Sequence, residues 1–254
     1  MAVTKRARKD AASRYARVPV PIVALDLQRS SDVVRLVEQL GEACSFYKVG
    51  SELFTAAGPA IVDYLRARGA EVFLDLKLHD IPNTVERAAA AAAASGARLL
   101  TVHASGGIEM LEAAVAGAMH GAGGGRSRCG VLGVTVLTSL DGARLGKAWG
   151  RKVQSVEKEV LRLAALVADA GAEGIVCSGS ELPLVRKTFG DSLGVLVPGI
   201  RPAGGARGDQ VRVVTPSAAA RGGADYVVFG RAVTQAPDPR RAFADLAAEL
   251  GNAG

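Results

Sequence analysis

Short, continuously apolar runs alternate with stretches of helical spacing from residue 19 almost to the end of the chain. Residues 19–26 (PVPIVALD) form the first apolar run and end on an acid. Between 29 and 41, Val33, Leu36, Val37 and Leu40 share one helical face. Further strands are expected at 45–49, 72–76, 98–103, 129–137, 174–177, 193–197 and Tyr226–Phe229. Helices are expected at 59–68, 82–95, 108–119, 156–170, Leu182–Phe189, 217–221 and 239–250, with Gly69 and Gly96 closing two of them. The glycine-rich segment 121–125 and a polar stretch carrying Trp149 read as loops, because the same alternation continues on either side.

Eight strand–helix units thus occupy the chain, at about 29 residues each, the proportions of a closed (β/α)8, or TIM, barrel. Continuously apolar strands separated by helices are what parallel strands covered on their outer faces require. An open doubly wound sheet is the structural alternative. The polar residues favour the barrel. Asp26, Lys48, Asp75, Lys77, His103, Thr135, Arg201 and Arg231 all fall near or just beyond strand C-terminal ends. In a barrel those ends converge on one mouth; in an open sheet they would be strung along an edge.

The densest polar cluster lies in residues 72–84 (VFLDLKLHDIPNT). Regular alternation puts Asp75 and Lys77 on the same side of the strand, where each charge needs a partner. A surface salt bridge would satisfy those two alone. Asp80, beside His79 and followed by Asn83 and Thr84, makes the cluster too dense for that and marks it as the chemical centre. Two segments suit an anion: Pro198-Gly199-Ile200-Arg201 after the seventh strand, and Gly230-Arg231 after the eighth. Glycine-rich 204–208 has the composition of a lid. No Walker or dinucleotide fingerprint is present.

Composition and charge add limits. The chain has 254 residues, 49% hydrophobic and only 4% aromatic, and carries a net charge of +6. Lys5, Arg6, Arg8, Lys9, Arg14 and Arg17 against Asp10 place +5 of that in residues 1–18, leaving about +1 for the rest. Residues 1–18 are therefore expected to be a disordered basic leader, with 19–254 a single catalytic barrel domain. A role in nucleic-acid binding would rest on that leader alone, without interleaved aromatics. With no secretory pattern and no run of 18 apolar residues, a soluble cytoplasmic protein is expected. Cys44, Cys129 and Cys177 lie in apolar runs without metal-ligand spacing, as buried thiols do.

Asp75-x-Lys77-x-x-Asp80-Ile81-Pro82-Asn83-Thr84 resembles the signature of the orotidine 5'-phosphate decarboxylase family. So do Ala24-Leu25-Asp26, Tyr47-Lys48-Val49-Gly50, Val136-Leu137-Thr138-Ser139, Pro198-Gly199-Ile200-Arg201, Asp209-Gln210 and Gly230-Arg231, in order along residues 20–245. The resemblance implies a homodimeric barrel that converts orotidine 5'-monophosphate to UMP without metal or organic cofactor, the last step of de novo pyrimidine synthesis. It implies that Lys77 donates a proton to C6 and that Asp75 lies against the substrate carboxylate. Lys48, Asp75, Lys77 and Asp80 would form an alternating charge array, with Asp80 and Thr84 reaching the neighbouring subunit's site. Asp26 and Lys48 would hold the ribose, and Ile81 joins the substrate-binding positions. Thr138 and Ser139 would lie beside the pyrimidine. Gln210, Gly230 and Arg231 would bind phosphate, with Arg201 at the base of the closing loop. His103 and His79 are expected to pack rather than act as bases. The alternative is a Mg²⁺-dependent 3-keto-gulonate-phosphate decarboxylase or hexulose-phosphate synthase, which shares the Asp-x-Lys-x-x-Asp core. The Ile81–Thr84 continuation, Asp26 with Lys48, and Gln210 favour the nucleotide enzyme. The leader, the 121–125 insertion and the Trp149 region depart from the family pattern.

Overall fold

The computed structural model describes residues 18–122, 128–202 and 214–252. Eight parallel strands close into a barrel in chain order: β1 (Val20–Ala24), β2 (Phe46–Gly50), β3 (Glu71–Leu78), β4 (Leu99–His103), β5 (Gly130–Val134), β6 (Gly174–Val176), β7 (Gly194–Val197) and β8 (Tyr226–Phe229). Closure is made by β1 against β8, with Val20 opposite Tyr226 and Val23 opposite Phe229. The helices are α1 (Ser30–Leu40), α2 (Ser51–Ala57), α3 (Ala60–Arg66), α4 (Pro82–Ala94), α5 (Ile108–Ala122), α6 (Gly142–Trp149), α7 (Val156–Asp169), α8 (Leu182–Phe189), α9 (Pro216–Arg221), α10 (Arg231–Thr234) and α11 (Pro239–Gly251). Asp141, Ser155, Thr215 and Asp238 each cap a following helix by accepting a backbone N–H.

The apolar runs have two faces to fill. Ile22, Ala24, Phe46, Phe73, Leu99, Leu132, Leu196 and Val228 point inward and form a packed plug inside the barrel. Their neighbours, among them Val23, Tyr47, Val72, Leu100 and Val195, face the helices and join the larger core. Fully burying one such side chain is worth about 1.5–3 kcal/mol. At the amino ends of the strands, Arg98 binds both oxygens of Glu173 at 3.2 and 3.3 Å, and Tyr226 donates to the same carboxylate at 3.3 Å. A cavity lies at the other end, where the carboxyl ends of the strands meet.

Three helices lie where no helix was expected. In α2 and α6 a single residue each is fully buried, Leu53 and Leu145, with Phe54, Ala57 and Trp149 half-buried beside them, an apolar face of two turns at most that is too short to stand out in the sequence; α10 is only one turn long. The Trp149 stretch is thus helical, and Arg151 and Arg162 lie over the indole ring. The glycine run expected as a break from 121 begins inside α5 instead. A Cβ on Gly117 would fall 2.1 Å from the Glu86 carbonyl oxygen, and one on Gly121 2.1 Å from that of Ala90. Those glycines let α5 press on the backbone of α4. Among the described residues no helix is long and apolar enough to cross a membrane.

Candidate active site

Four charged side chains meet at the carboxyl ends of β1, β2 and β3. Lys48, in the middle of β2 and only 8% exposed, places its ammonium 2.7 Å from Asp26 Oδ1 and 3.6 Å from Asp75 Oδ2. Lys77 Nζ lies 2.8 Å from Asp75 Oδ1. The order is acid, base, acid, base. An ammonium as deep as Lys48 is tolerable only with such partners. Gly50 makes room for them: a Cβ there would lie 3.1 Å from Lys48 Nζ and 3.2 Å from Asp26 Oδ1.

Asp75 and Lys77 share a side, but not through regular pleating. Leu74 pairs with Leu100, whereas Leu78 pairs with Val102, so β3 spends four residues where β4 spends two. Lys77 sits in this bulge with φ of 52°, the single positive φ outside glycine among the described residues. Thr101, fully buried on β4, accepts the Lys77 N–H at 2.9 Å and donates to Asp75 Oδ1 at 3.0 Å. Burial pushes the Asp75 pKa up. The Lys48 and Lys77 ammoniums, with hydrogen bonds from Lys77 and Thr101, outweigh burial and hold it below the ordinary carboxylate value. The His103 pKa is also lowered, by burial first and then by His79 and Lys77, which keeps its imidazole neutral. Its ring lies 5.3 Å from that of His79.

A cavity of about 390 Å³ joins this array to Arg201 and Arg231. Asp26, Lys48, Asp75, Lys77, Thr138, Arg201, Gly230 and Arg231 all line it. Phe73, Val134, Val176, Leu196 and Val228 form its apolar floor. Arg201 is held by its backbone N–H to Val214 O at 3.1 Å, beside the Ile200–Val214 bridge. Positive charge at one end and an alternating array at the other, over an apolar floor, suit a flat ring carrying an anionic tail.

Not every expected residue reaches this cavity. Asp80 is exposed and its carboxylate accepts the Ile81 N–H at 2.7 Å; Ile81 is 64% exposed and Thr84 is exposed at the start of α4. None of the three lines the cavity. Ser139 also lies outside the lining, its carbonyl accepting from Arg144 at 3.2 Å. Gln210, the 204–208 segment and residues 1–17 lie outside the described residues. Conversely, Gly50, Ser51, Glu52, Phe73 and Cys177 line the cavity without having been singled out for it. Cys44, Cys129 and Cys177 are buried and none is in a disulfide, and burial pushes Cys44 up to about 11 and Cys129 up to about 12.

The model of the "Orotidine 5'-phosphate decarboxylase / HUMPS family" matches residues 19–246. An orotidine 5'-phosphate decarboxylase of Nitrosococcus oceani is 47% identical over 91% of this chain and 97% of its own length. One from Anaeromyxobacter sp. (strain K) is 51% identical over 89% of this chain and 96% of its own. Among solved structures, orotidine 5'-phosphate decarboxylase from Lactobacillus acidophilus superposes with a TM-score of 0.82 at 37% identity, covering 92% of this chain and 99% of that one.

Proposed function

We propose, since the chain belongs to the orotidine 5'-phosphate decarboxylase / HUMPS family, that it converts orotidine 5'-monophosphate to UMP and CO2. The observation that carries this reading is the Asp26–Lys48–Asp75–Lys77 array within one cavity that also holds Arg201 and Arg231. The reaction would be the last step of de novo pyrimidine nucleotide synthesis, carried out in the cytoplasm.

The bond from C6 to the carboxyl carbon breaks, its electron pair stays on C6, and CO2 departs. The resulting carbanion has little resonance relief, so charge must be stabilised as it develops. Lys77, held beside Asp75, supplies a fixed ammonium at that point and then gives its proton to C6. Asp75 faces the substrate carboxylate and repels it, a strain that leaves with CO2. Asp26 and Lys48 hold the ribose hydroxyls, while Thr138, with Ser139 beside it, borders the pyrimidine. Arg201, Gly230 and Arg231 take the phosphate, joined by Gln210. Binding at that remote group would align the ring over Lys77. Asp80, Ile81 and Thr84, exposed on this protomer, would complete the site of a second copy in a homodimer.

No metal is needed in this scheme. The Lys48 ammonium already lies between the carboxylates of Asp26 and Asp75, and a C6 carbanion offers no pair of oxygens for an ion to bridge. The test is an assay of the purified protein with orotidine 5'-monophosphate, following loss of substrate absorbance with EDTA present. Conversion to UMP at an undiminished rate is expected. No conversion, or activity that vanishes with EDTA and returns with Mg²⁺, would replace this reading with enediolate chemistry on a sugar phosphate.

A further inference from the structure

The bulge in β3 creates a problem that one hydroxyl on the next strand solves. Four residues of β3 span what two residues of β4 span, so the inter-strand ladder is interrupted between Leu74 and Leu78. The Lys77 N–H falls in that gap and needs a partner, and Lys77 itself is held in the left-handed region that a side chain disfavours. Thr101 Oγ1 accepts that N–H at 2.9 Å and donates its own hydrogen bond to Asp75 Oδ1 at 3.0 Å. The same carboxylate oxygen receives the Lys77 ammonium at 2.8 Å. A single hydroxyl therefore ties the backbone of the lysine to the acid that its side chain meets. Thr101 is fully buried and does not line the cavity.

We infer that Thr101 is a positioning residue, which fixes the direction of the Lys77 ammonium relative to Asp75 without touching the substrate. The inference rests on the reading of Lys77 and Asp75 given above. Its demands are specific. One O–H donor and one acceptor lone pair must be present at the same atom, which a hydroxyl provides and a methyl does not. Thr101→Val keeps the volume but leaves the Lys77 N–H unpaired and removes a hydrogen bond from Asp75. Thr101→Ser keeps both bonds and loses only a methyl.

Loss of the tie should appear in turnover rather than in binding, because the phosphate and ribose contacts are made elsewhere. For Thr101→Val, kcat should fall by about 10–100-fold, the effect of misplacing a reacting group by a fraction of an ångström to an ångström. Affinity for UMP should stay within about threefold, and Thr101→Ser should restore kcat to within about threefold of the original. A role in packing alone predicts the opposite pattern: lower thermal stability, with kcat of the folded protein intact. Should the valine variant not fold, Thr101→Ala set against Thr101→Ser makes the same comparison. A folded Val or Ala variant with unchanged kcat overturns the inference, as does a loss of UMP affinity equal to the loss of kcat, or a Ser variant no better than Val. The unaltered protein, assayed alongside, separates the two levels. If it is inert toward orotidine 5'-monophosphate, the function and this inference fall together; if it is active and the variants match it, this inference alone falls.

Discussion

At the residue scale, the state of Asp75 depends on which neighbours outweigh its burial. Lys48 is the strongest of the groups that lower its pKa, followed by Lys77 and the hydrogen bonds from Lys77 and Thr101. Asp26 pairs with Lys48, and His103, its own pKa lowered chiefly by burial, also faces Asp75 and Lys77 electrostatically. Lys48→Met removes that leading cation and keeps the stem. Burial then raises the Asp75 pKa, so the carboxylate takes up its proton at a higher pH as acid is added. The acid limb of kcat/KM should move to higher pH. Identical acid limbs in the variant and the original protein would show that Lys48 does not keep Asp75 ionised. The same sign governs stability: Asp75 contributes above its unfolded pKa, and that contribution is lost as pH falls through its lower folded value. The charged residues of this site were legible because charges at apolar strand ends are conspicuous. Thr101 and Gly50 were not. A threonine in an apolar strand is ordinary until a bulge opposite it exposes an N–H. Gly50 acts through the side chain it lacks, and only coordinates reveal what would have collided with one.

The elements repeat that lesson one level up. Strand order and the principal helices follow from hydrophobic period, since burial on both faces leaves an uninterrupted apolar run. What period does not carry is irregularity. Alternation placed Asp75 and Lys77 together, yet the structure reaches that outcome through a bulge and a positive φ. Likewise a break is expected from Gly121 on, whereas Gly121 is still helical and, with Gly117, is a contact point of α5 on α4; residues 123–125 of the run lie outside the described residues. That contact can be tested by sign. In an unobstructed helix Gly→Ala stabilises by about 0.5–1 kcal/mol, because alanine loses less backbone entropy. At Gly117 the new Cβ would lie 2.1 Å from a backbone carbonyl oxygen, which cannot swing away as a side chain can. Gly117→Ala should therefore lower the unfolding free energy by about 1–3 kcal/mol in a urea melt. Gly251→Ala, with nothing within 4 Å of its Cβ, is the control; at the last residue of α11, where the helix frays, it should be neutral to slightly stabilising. A neutral or stabilising Gly117→Ala would mean that the two helices are not in backbone contact.

For the whole molecule, barrel closure is what turns eight scattered strand ends into one mouth, and the proposed homodimer is what would complete it. Within one protomer, Asp80, Ile81 and Thr84 stand exposed outside the cavity, while Asp26, Lys48, Asp75 and Lys77 line it. If Asp80 serves the neighbouring site, two inactive variants should rescue each other. In a dimer of one Lys77→Ala and one Asp80→Ala subunit, the site built around the altered Lys77 also receives the altered Asp80, so both lesions fall in one site. The other site keeps its own Lys77 and receives an intact Asp80. Each such heterodimer should show about half the activity of the unaltered dimer, the yield of one working site in two. Either variant alone should remain nearly inactive. The mixing experiment therefore needs a subunit-exchange check, such as native mass spectrometry of differently tagged chains, before the rates are read. Exchange with no recovered activity would return Asp80 to its own subunit's chemistry. Its hydrogen bond from the Ile81 N–H at 2.7 Å would then hold the Asp80 carboxylate just ahead of α4, at the rim of its own subunit's site.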